Sequence, residues 1–180
     1  MAYRPRTPVG MEHPAEWLAI LRIAVGLYFV KSLVTKMTIG LAGGFLPFPT
    51  VSERWINVMP TIVTKQASEN PILWYKGFLE NTVLTHPNLF AHLTAWGETA
   101  VGIGLTLGLL TGLSSILGAI LVFNYGLATQ WMSPGQQGFH YILFVLMVAF
   151  FFSRAGRTWG LDAKLVSQRP KSWLARRPFS

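Results

Sequence analysis

LAILRIAVGLYFVKSLV, residues 18–34, decides the fold. Apart from Arg22, Lys31 and Ser32 it is apolar, and with its flanks from Glu16 to Lys36 it supplies the roughly 20 residues that a helix needs to cross about 30 Å of hydrocarbon. Lipid offers backbone N–H and C=O groups no partner, so a spanning segment closes its hydrogen bonds internally, as a helix. Trp17 opens the run at interface depth. Arg4 and Arg6 precede it, but it is long and no small-residue cleavage site follows, so it reads as a retained first span. Composition agrees: 51% of the 180 residues are hydrophobic and 12% charged, where a soluble domain carries about 25% charged residues.

Working outward, residues 1–14 are polar, contain Pro5, Pro8 and Pro14, and read as an irregular lead-in. Residues 37–87 mix Gly43, Gly44, Pro47, Pro49, Pro60 and Pro71 with charges of both signs and are not a span. Two pieces of this insertion, 52–65 and 71–84, place Trp55, Ile56, Met59, Ile62 and Val63, then Leu73, Trp74, Phe78 and Leu79, near helical spacing. Both read as short amphipathic helices on the outer face of the bundle, with Ser52 or Asn70 as caps. Further spans are expected over 88–110, 113–131 and 138–155, with Thr111 and Gly112 as a tight turn. The fold expected is therefore an all-α membrane protein, a single domain over 1–180 built as a four-transmembrane-helix bundle with a periplasmic insertion.

The net charge is +8. In a soluble chain that would suggest nucleic acid, but here the cations gather after the last apolar run: Arg157, Lys164, Arg169, Lys171, Arg176 and Arg177 against Asp162. The insertion instead balances Arg54, Lys65 and Lys76 against Glu53, Glu69 and Glu80. The positive-inside rule then puts the tail over 156–180 and the N-terminus in the cytoplasm, and the insertion outside. Trp173 and Leu174 among the tail cations point to contact with the anionic inner leaflet.

Charged groups within a span are costly unless paired or facing a cavity, so each is a candidate site. Arg22 and Glu98 lie at depths from which they are expected to pair, either as a clasp between helices or as a proton-handling carboxylate beside a redox cofactor. Lys31 falls on the opposite face of the first span and snorkels, whereas Lys36 returns to the Arg22 face. Asn124 needs a partner in hydrocarbon, with Glu98 or a ligand oxygen as candidates. Near the outer boundary Lys36, His92, Trp96, Gln130, Trp131, Gln136, Gln137 and His140 collect. They read either as an interfacial belt or as a shallow pocket whose donors hold a quinone while a histidine passes protons. Gly97, Gly104 and Gly108 share a face of the second span and permit close packing or leave a gap for a ligand. Absence of cysteine excludes thiolate nucleophiles, cysteine-ligated Fe–S clusters and c-type haem, so redox work requires a bound cofactor. Gly-rich phosphate loops, metal-binding helix motifs and nucleophile elbows are also missing.

These residues resemble a family. Leu21, Arg22, Ile23 and Gly26 followed by Lys36, then Gly97, Glu98 and Gly102, the run GLLTGL at 108–113 and RAGRTWGLDAKL at 154–165 are similar to the DoxX/DoxD group of small four-helix membrane proteins. The last run is similar to that group's GxGRxxGLD pattern. The resemblance implies a four-helix bundle in a bacterial or archaeal cytoplasmic membrane and a redox setting, since DoxD members are subunits of a thiosulfate:quinone oxidoreductase. It singles out Arg22, Glu98, Arg157 and Asp162, and the long insertion is similar to the DoxD branch. Two functions stay open: a quinone-binding subunit fed by a periplasmic donor, or a non-catalytic accessory subunit packed against a larger respiratory or photosynthetic membrane complex.

Overall fold

The computed structural model describes residues 13–42 and 45–180. Most of the expected lead-in, Arg4 and Arg6 included, and Gly43 and Gly44 lie outside the described residues. Helix α1 (Pro14–Thr35) has proline in its first turn, where the missing N–H is no loss. After it come strands β1 (Met37–Ala42) and β2 (Leu46–Val51), α2 (Glu53–Ser68), α3 (Leu73–Phe78) running into a π-turn at Leu79–Val83, α4 (Pro87–Leu107), α5 (Thr111–Thr129), α6 (Pro134–Ser153) and α7 (Leu161–Gln168).

Helices α1, α5 and α6 are long and apolar enough to cross a membrane. Helix α4 has 21 residues but is not among them. It packs between α1 and α5, and α5 packs on α6. Val25, Phe29, Val101, Leu105, Val122, Leu143, Met147 and Phe150 form the bundle core. Outside it, Leu27, Ile103, Ile120, Phe123, Ile142 and Phe152 are exposed, as a lipid-facing surface requires.

The pairing of α1 with α4 rests on two glycines. A Cβ on Gly26 would stand 2.5 Å from the Thr106 backbone nitrogen, and one on Gly102 would stand 2.5 Å from that of Val30. Such close backbone approach is how helices gain packing energy where lipid is as apolar as leucine. The antiparallel register follows: each step up α1 is a step down α4, so the end of α1 at Thr35 is level with Gly97 and Glu98, and Arg22 is level with Leu110. Of the expected glycine face, Gly97 and Gly104 instead meet Leu121 and Ser114 of α5.

The described residues are mostly helical, as expected, but the structure adds one hairpin to the all-α reading and corrects several local ones. Met37–Ala42 and Leu46–Val51 form an antiparallel hairpin, with Leu41 opposite Pro47 and Ile39 opposite Pro49. Proline cannot donate to a ladder, but a two-stranded sheet has only edges, where it is tolerated. The turn between α4 and α5 lies at Gly108–Leu110 rather than at Thr111 and Gly112, which begin α5; Gly108 and Leu110 both take left-handed backbone angles. In the insertion, Ser52 does cap α2, accepting from the Trp55 N–H at 3.2 Å. Asn70 does not cap α3, whose N-cap is Ile72; its Oδ1 accepts from the Ile72 N–H and its Nδ2 donates to the Leu127 carbonyl. Leu73 and Trp74 point away, and the buried face is Tyr75, Leu79 and Val83, packed with Met59, Val63 and Ala67 against Ala91 and Ala128.

Candidate functional site

Glu98 is the carboxylate at the centre of the site. Its Oε1 accepts from the Lys36 ammonium at 2.7 Å and from the Tyr125 hydroxyl at 2.5 Å, and the Lys36 and Glu98 side chains are 15% and 13% exposed. Both donors converge on Oε1, and among the described residues no donor meets Oε2. Lys36 is the C-cap of α1 and is held from two further sides. Its carbonyl accepts from the Ser52 N–H at 2.9 Å, at the hairpin's base, and its ammonium lies 4.2 Å from the centre of the Trp55 ring. That stacking adds attraction where water is scarce. Trp55 is fixed in turn by donation from Nε1 to the Ala91 carbonyl at 3.1 Å.

On one side of this cluster opens a cavity of ≈ 460 Å³ between the insertion and helices α4 and α5. Trp55, Tyr75, Phe78, Phe90, Leu93 and Leu121 give it an apolar, largely aromatic wall, while Lys36, Glu98, Tyr125, Asn124, Gln136 and His140 place polar groups along it. An apolar hollow of this size with a few convergent polar groups is the usual form of a small-molecule site. Burial pushes the Tyr75 phenol up to about 12, so it stays a neutral donor, and it bonds the Asn124 carbonyl at 2.9 Å.

The expected pairing of Arg22 with Glu98 does not form. The register puts the Arg22 level about 18 Å from that of Glu98, at 1.5 Å per residue. The depth argument failed because α1 and α4 are displaced along one another instead of filling the same slab. Arg22 is fully buried at the opposite end of the bundle and donates to the carbonyls of Leu105 at 2.5 Å, Thr106 at 3.5 Å, and Thr158 and Trp159 at 3.3 Å. Beside it the buried Asp162 carboxylate accepts from the Leu110 and Thr111 N–H groups at 2.8 and 2.9 Å, which satisfies the start of α5. A side chain at Gly108 would strike the Arg22 guanidinium, and one at Gly156 would strike Thr111 and Asp162. The RAGRTWGLDAKL run is thus a clasp closing the α4–α5 turn. Arg157 belongs to it through donation to the Ala175 carbonyl at 3.3 Å.

Of the other candidates, Lys36, Asn124 and His140 line the larger cavity. Asn124 meets neither Glu98 nor an open acceptor: its Nδ2 donates to the Ile120 carbonyl at 2.8 Å. His140 Nδ1 lies 2.7 Å from the Gln136 carbonyl, so that nitrogen carries the hydrogen and Nε2 is left as an acceptor. His92 is exposed and bonds its own helix through the Asn88 carbonyl. Trp96 leans on Phe48 of the hairpin, and Trp131 donates to the Ala128 carbonyl; these three residues line neither the larger cavity nor its smaller neighbour behind Glu98. Tyr125 and Tyr75 are the functional side chains that sequence reasoning missed. A tyrosine within a span has a hydroxyl that must find a partner, a requirement that points to Tyr125 and equally to Tyr28.

A family model described as TQO small subunit DoxD matches residues 17–176, from the first turn of α1 through the clasp into the basic tail. No curated protein and no solved structure matches the chain. The match covers nearly the whole length, and its span takes in both the Glu98 cluster and the Arg22–Asp162 clasp, in a protein with several candidate membrane helices. The chain is therefore a multi-pass membrane protein of the DoxD family.

Proposed function

We propose that the chain is the quinone-binding membrane subunit of an oxidoreductase of the thiosulfate:quinone type, and that the quinone head group occupies the ≈ 460 Å³ cavity beside Glu98. The observation that carries this reading is the placement of one carboxylate, one ammonium and one phenol together at the wall of a mostly apolar hollow. The residues present fit such a ligand. The aromatic wall takes the ring and the start of an isoprenoid tail, the unspent N–H groups of Lys36 and the Gln136 amide face a carbonyl oxygen, and Glu98 Oε2 is free to hold a proton. A bound quinone would supply a two-electron, two-proton acceptor, the electrons coming from the thiosulfate that the family's activity names. Lys36 and Tyr125 hold the carboxylate in place, and the insertion excludes water from the aromatic side.

Helix α4 is the fourth span, since it lies between α1 and α5 and runs antiparallel to both. The basic tail lies on the cytoplasmic side of a bacterial or archaeal inner membrane, with the hairpin outside. Titration of the detergent-solubilised protein with a short-chain quinone should quench Trp55 fluorescence saturably, and Trp55→Phe should remove that signal. Quenching that rises linearly without saturation, as from unspecific partition into the micelle, would sink the quinone reading.

The accessory role, docking on a partner subunit, is favoured by a different observation. Ile39, Leu41, Phe45, Leu46 and Phe48 of the hairpin are all more than half exposed, at 51–75%. The register puts Ile39 and Leu41 on one face and Leu46 and Phe48 on the other, so the hairpin exposes apolar side chains on both faces, and exposed apolar surface of this extent marks an interaction site. The two roles are compatible, because the hairpin surface and the cavity are distinct. Copurification of a partner that is lost on Ile39→Ser/Phe48→Ser, with quinone binding retained, would show both.

A further inference from the structure

The Lys36–Glu98–Tyr125 cluster also borders a second cavity on its other side, of ≈ 170 Å³, between α1, α5 and α6. Its lining is more mixed than that of the first, with Phe29, Val122, Phe139 and Leu143 beside the polar groups. Tyr28, Lys31, Ser32 and Thr35 of α1 and His140 of α6 line it together with the cluster. Ser32 is 3% exposed, lines this space, and its hydroxyl oxygen meets no partner among the described residues. Of the buried hydroxyls without a partner among the described residues, those of Ser32, Thr99, Thr106, Thr111 and Ser180, that of Ser32 is the one that lines this space. A cavity of this size has room for several water molecules, and its polar groups can hold them. Lys31 and Thr35, both exposed, stand at its mouth.

We propose that this space is a water-filled vestibule through which Glu98 exchanges protons with the aqueous phase, on the side of the carboxylate away from the quinone chamber. The proposal takes its purpose from the quinone reading, because a quinone needs protons that an aromatic chamber cannot supply. Its existence rests on the vestibule's own geometry. In each exchange a hydronium ion gives its proton to a Glu98 carboxylate oxygen and becomes water, or the reverse; no other bond changes. The Lys36–Glu98–Tyr125 cluster is then the wall between a wet compartment and a dry one, and His140 touches both.

The chain has no cysteine, so a single introduced thiol reports on one position. In the purified full chain, Ser32→Cys, a near-isosteric change, is exposed to 2-aminoethyl methanethiosulfonate, a small charged reagent whose sulfur a hydrated thiolate attacks, expelling methanesulfinate. Intact mass should show it modified at least about tenfold faster than Ala95→Cys, whose site is fully buried. Equal rates would overturn the vestibule. Ser32→Leu fills the space. After a pH jump, the infrared carboxyl band of Glu98, assigned by its absence in Glu98→Gln, should then develop about tenfold more slowly than in the native chain. An unchanged rate would overturn the proton route. Failure of quinone to bind, with the labelling contrast intact, would sink the quinone reading and leave the vestibule standing.

Discussion

Replacing Lys36 by methionine tests whether the Glu98 cluster is one coupled unit. The substitution keeps most of the unbranched apolar stem, but removes the charge, the 2.7 Å bond and the ammonium's stacking on Trp55. Glu98, 13% exposed, is left with the Tyr125 hydroxyl as its remaining donor. Removing one member of a buried ion pair costs about 3–5 kcal/mol, because the surviving charge is stranded. The retained phenol bond, a hydrogen bond to a charged group, offsets about 1.5–3 kcal/mol of the desolvation. A net loss of about 2 kcal/mol is therefore expected, which for a chain of this size lowers Tm by roughly 4–8 °C. Glu98→Gln alone strands the ammonium and should cost a similar amount. The double variant strands nothing, so it should be less destabilised than the sum of the two by at least about 1.5 kcal/mol. The measurement is thermal unfolding of all four proteins in one mild detergent, followed by tryptophan fluorescence. Additivity within about 0.5 kcal/mol would refute the reasoning, since it would mean that Lys36 and Glu98 do not interact in solution.

Three further outcomes are expected. Asp162→Ala leaves the Leu110 and Thr111 N–H groups without their acceptor in a fully buried place, and should lower stability by about 3 kcal/mol while leaving quinone affinity unchanged, because the clasp is remote from the cavity. Gly102→Val drives a side chain into the Val30 backbone and should separate α1 from α4, weakening quinone binding together with the fold; native-like binding in this variant would show that the α1–α4 contact does not position Lys36. His92→Ala removes an exposed ring bonded only to its own helix, and should change both Tm and quinone affinity by no more than about 0.5 kcal/mol equivalent, as read by the same two assays.

The membrane helices were legible because one property, sustained apolarity, sets both their existence and their length. The insertion was legible only as amphipathic pieces. Leu73 and Trp74 are the most hydrophobic-looking residues at the start of α3, yet they are 79% and 67% exposed, and the face that packs is carried by Tyr75, Leu79 and Val83. Helical periodicity gives a set of faces but not which one meets protein when lipid also welcomes apolar side chains. The hairpin was hidden by Pro47 and Pro49, which argue against a strand in any sheet with an interior. Glu98 and Lys36 were each visible as charges out of place, but their partnership was not. It depends on the relative displacement of two helices, which is set by where Gly26 and Gly102 let the backbones touch.

That displacement also explains why a site exists at this level of the bundle. Helix α1 stops level with Gly97 and Glu98, so the first half of α4, Pro87 to about Ala95, rises past it by about 16 Å with no α1 beside it. The gap is closed by α2, the π-turn and the hairpin, whose Met59, Val63, Val51 and Met37 bury against Ala91 and Ala95. One face of this half of α4, Ala91 and Ala95, is thus covered by protein, while Leu89, His92 and Leu93 stay exposed. Short amphipathic pieces roof a hollow less completely than a straight helix fills it, and the larger cavity is the space they leave. The carboxylate sits where α1 ends, within reach of the lysine that caps it and of a tyrosine from α5. A charge in this position keeps its partners without being sunk in hydrocarbon, and it faces a mostly apolar chamber on one side and a smaller, more polar one on the other.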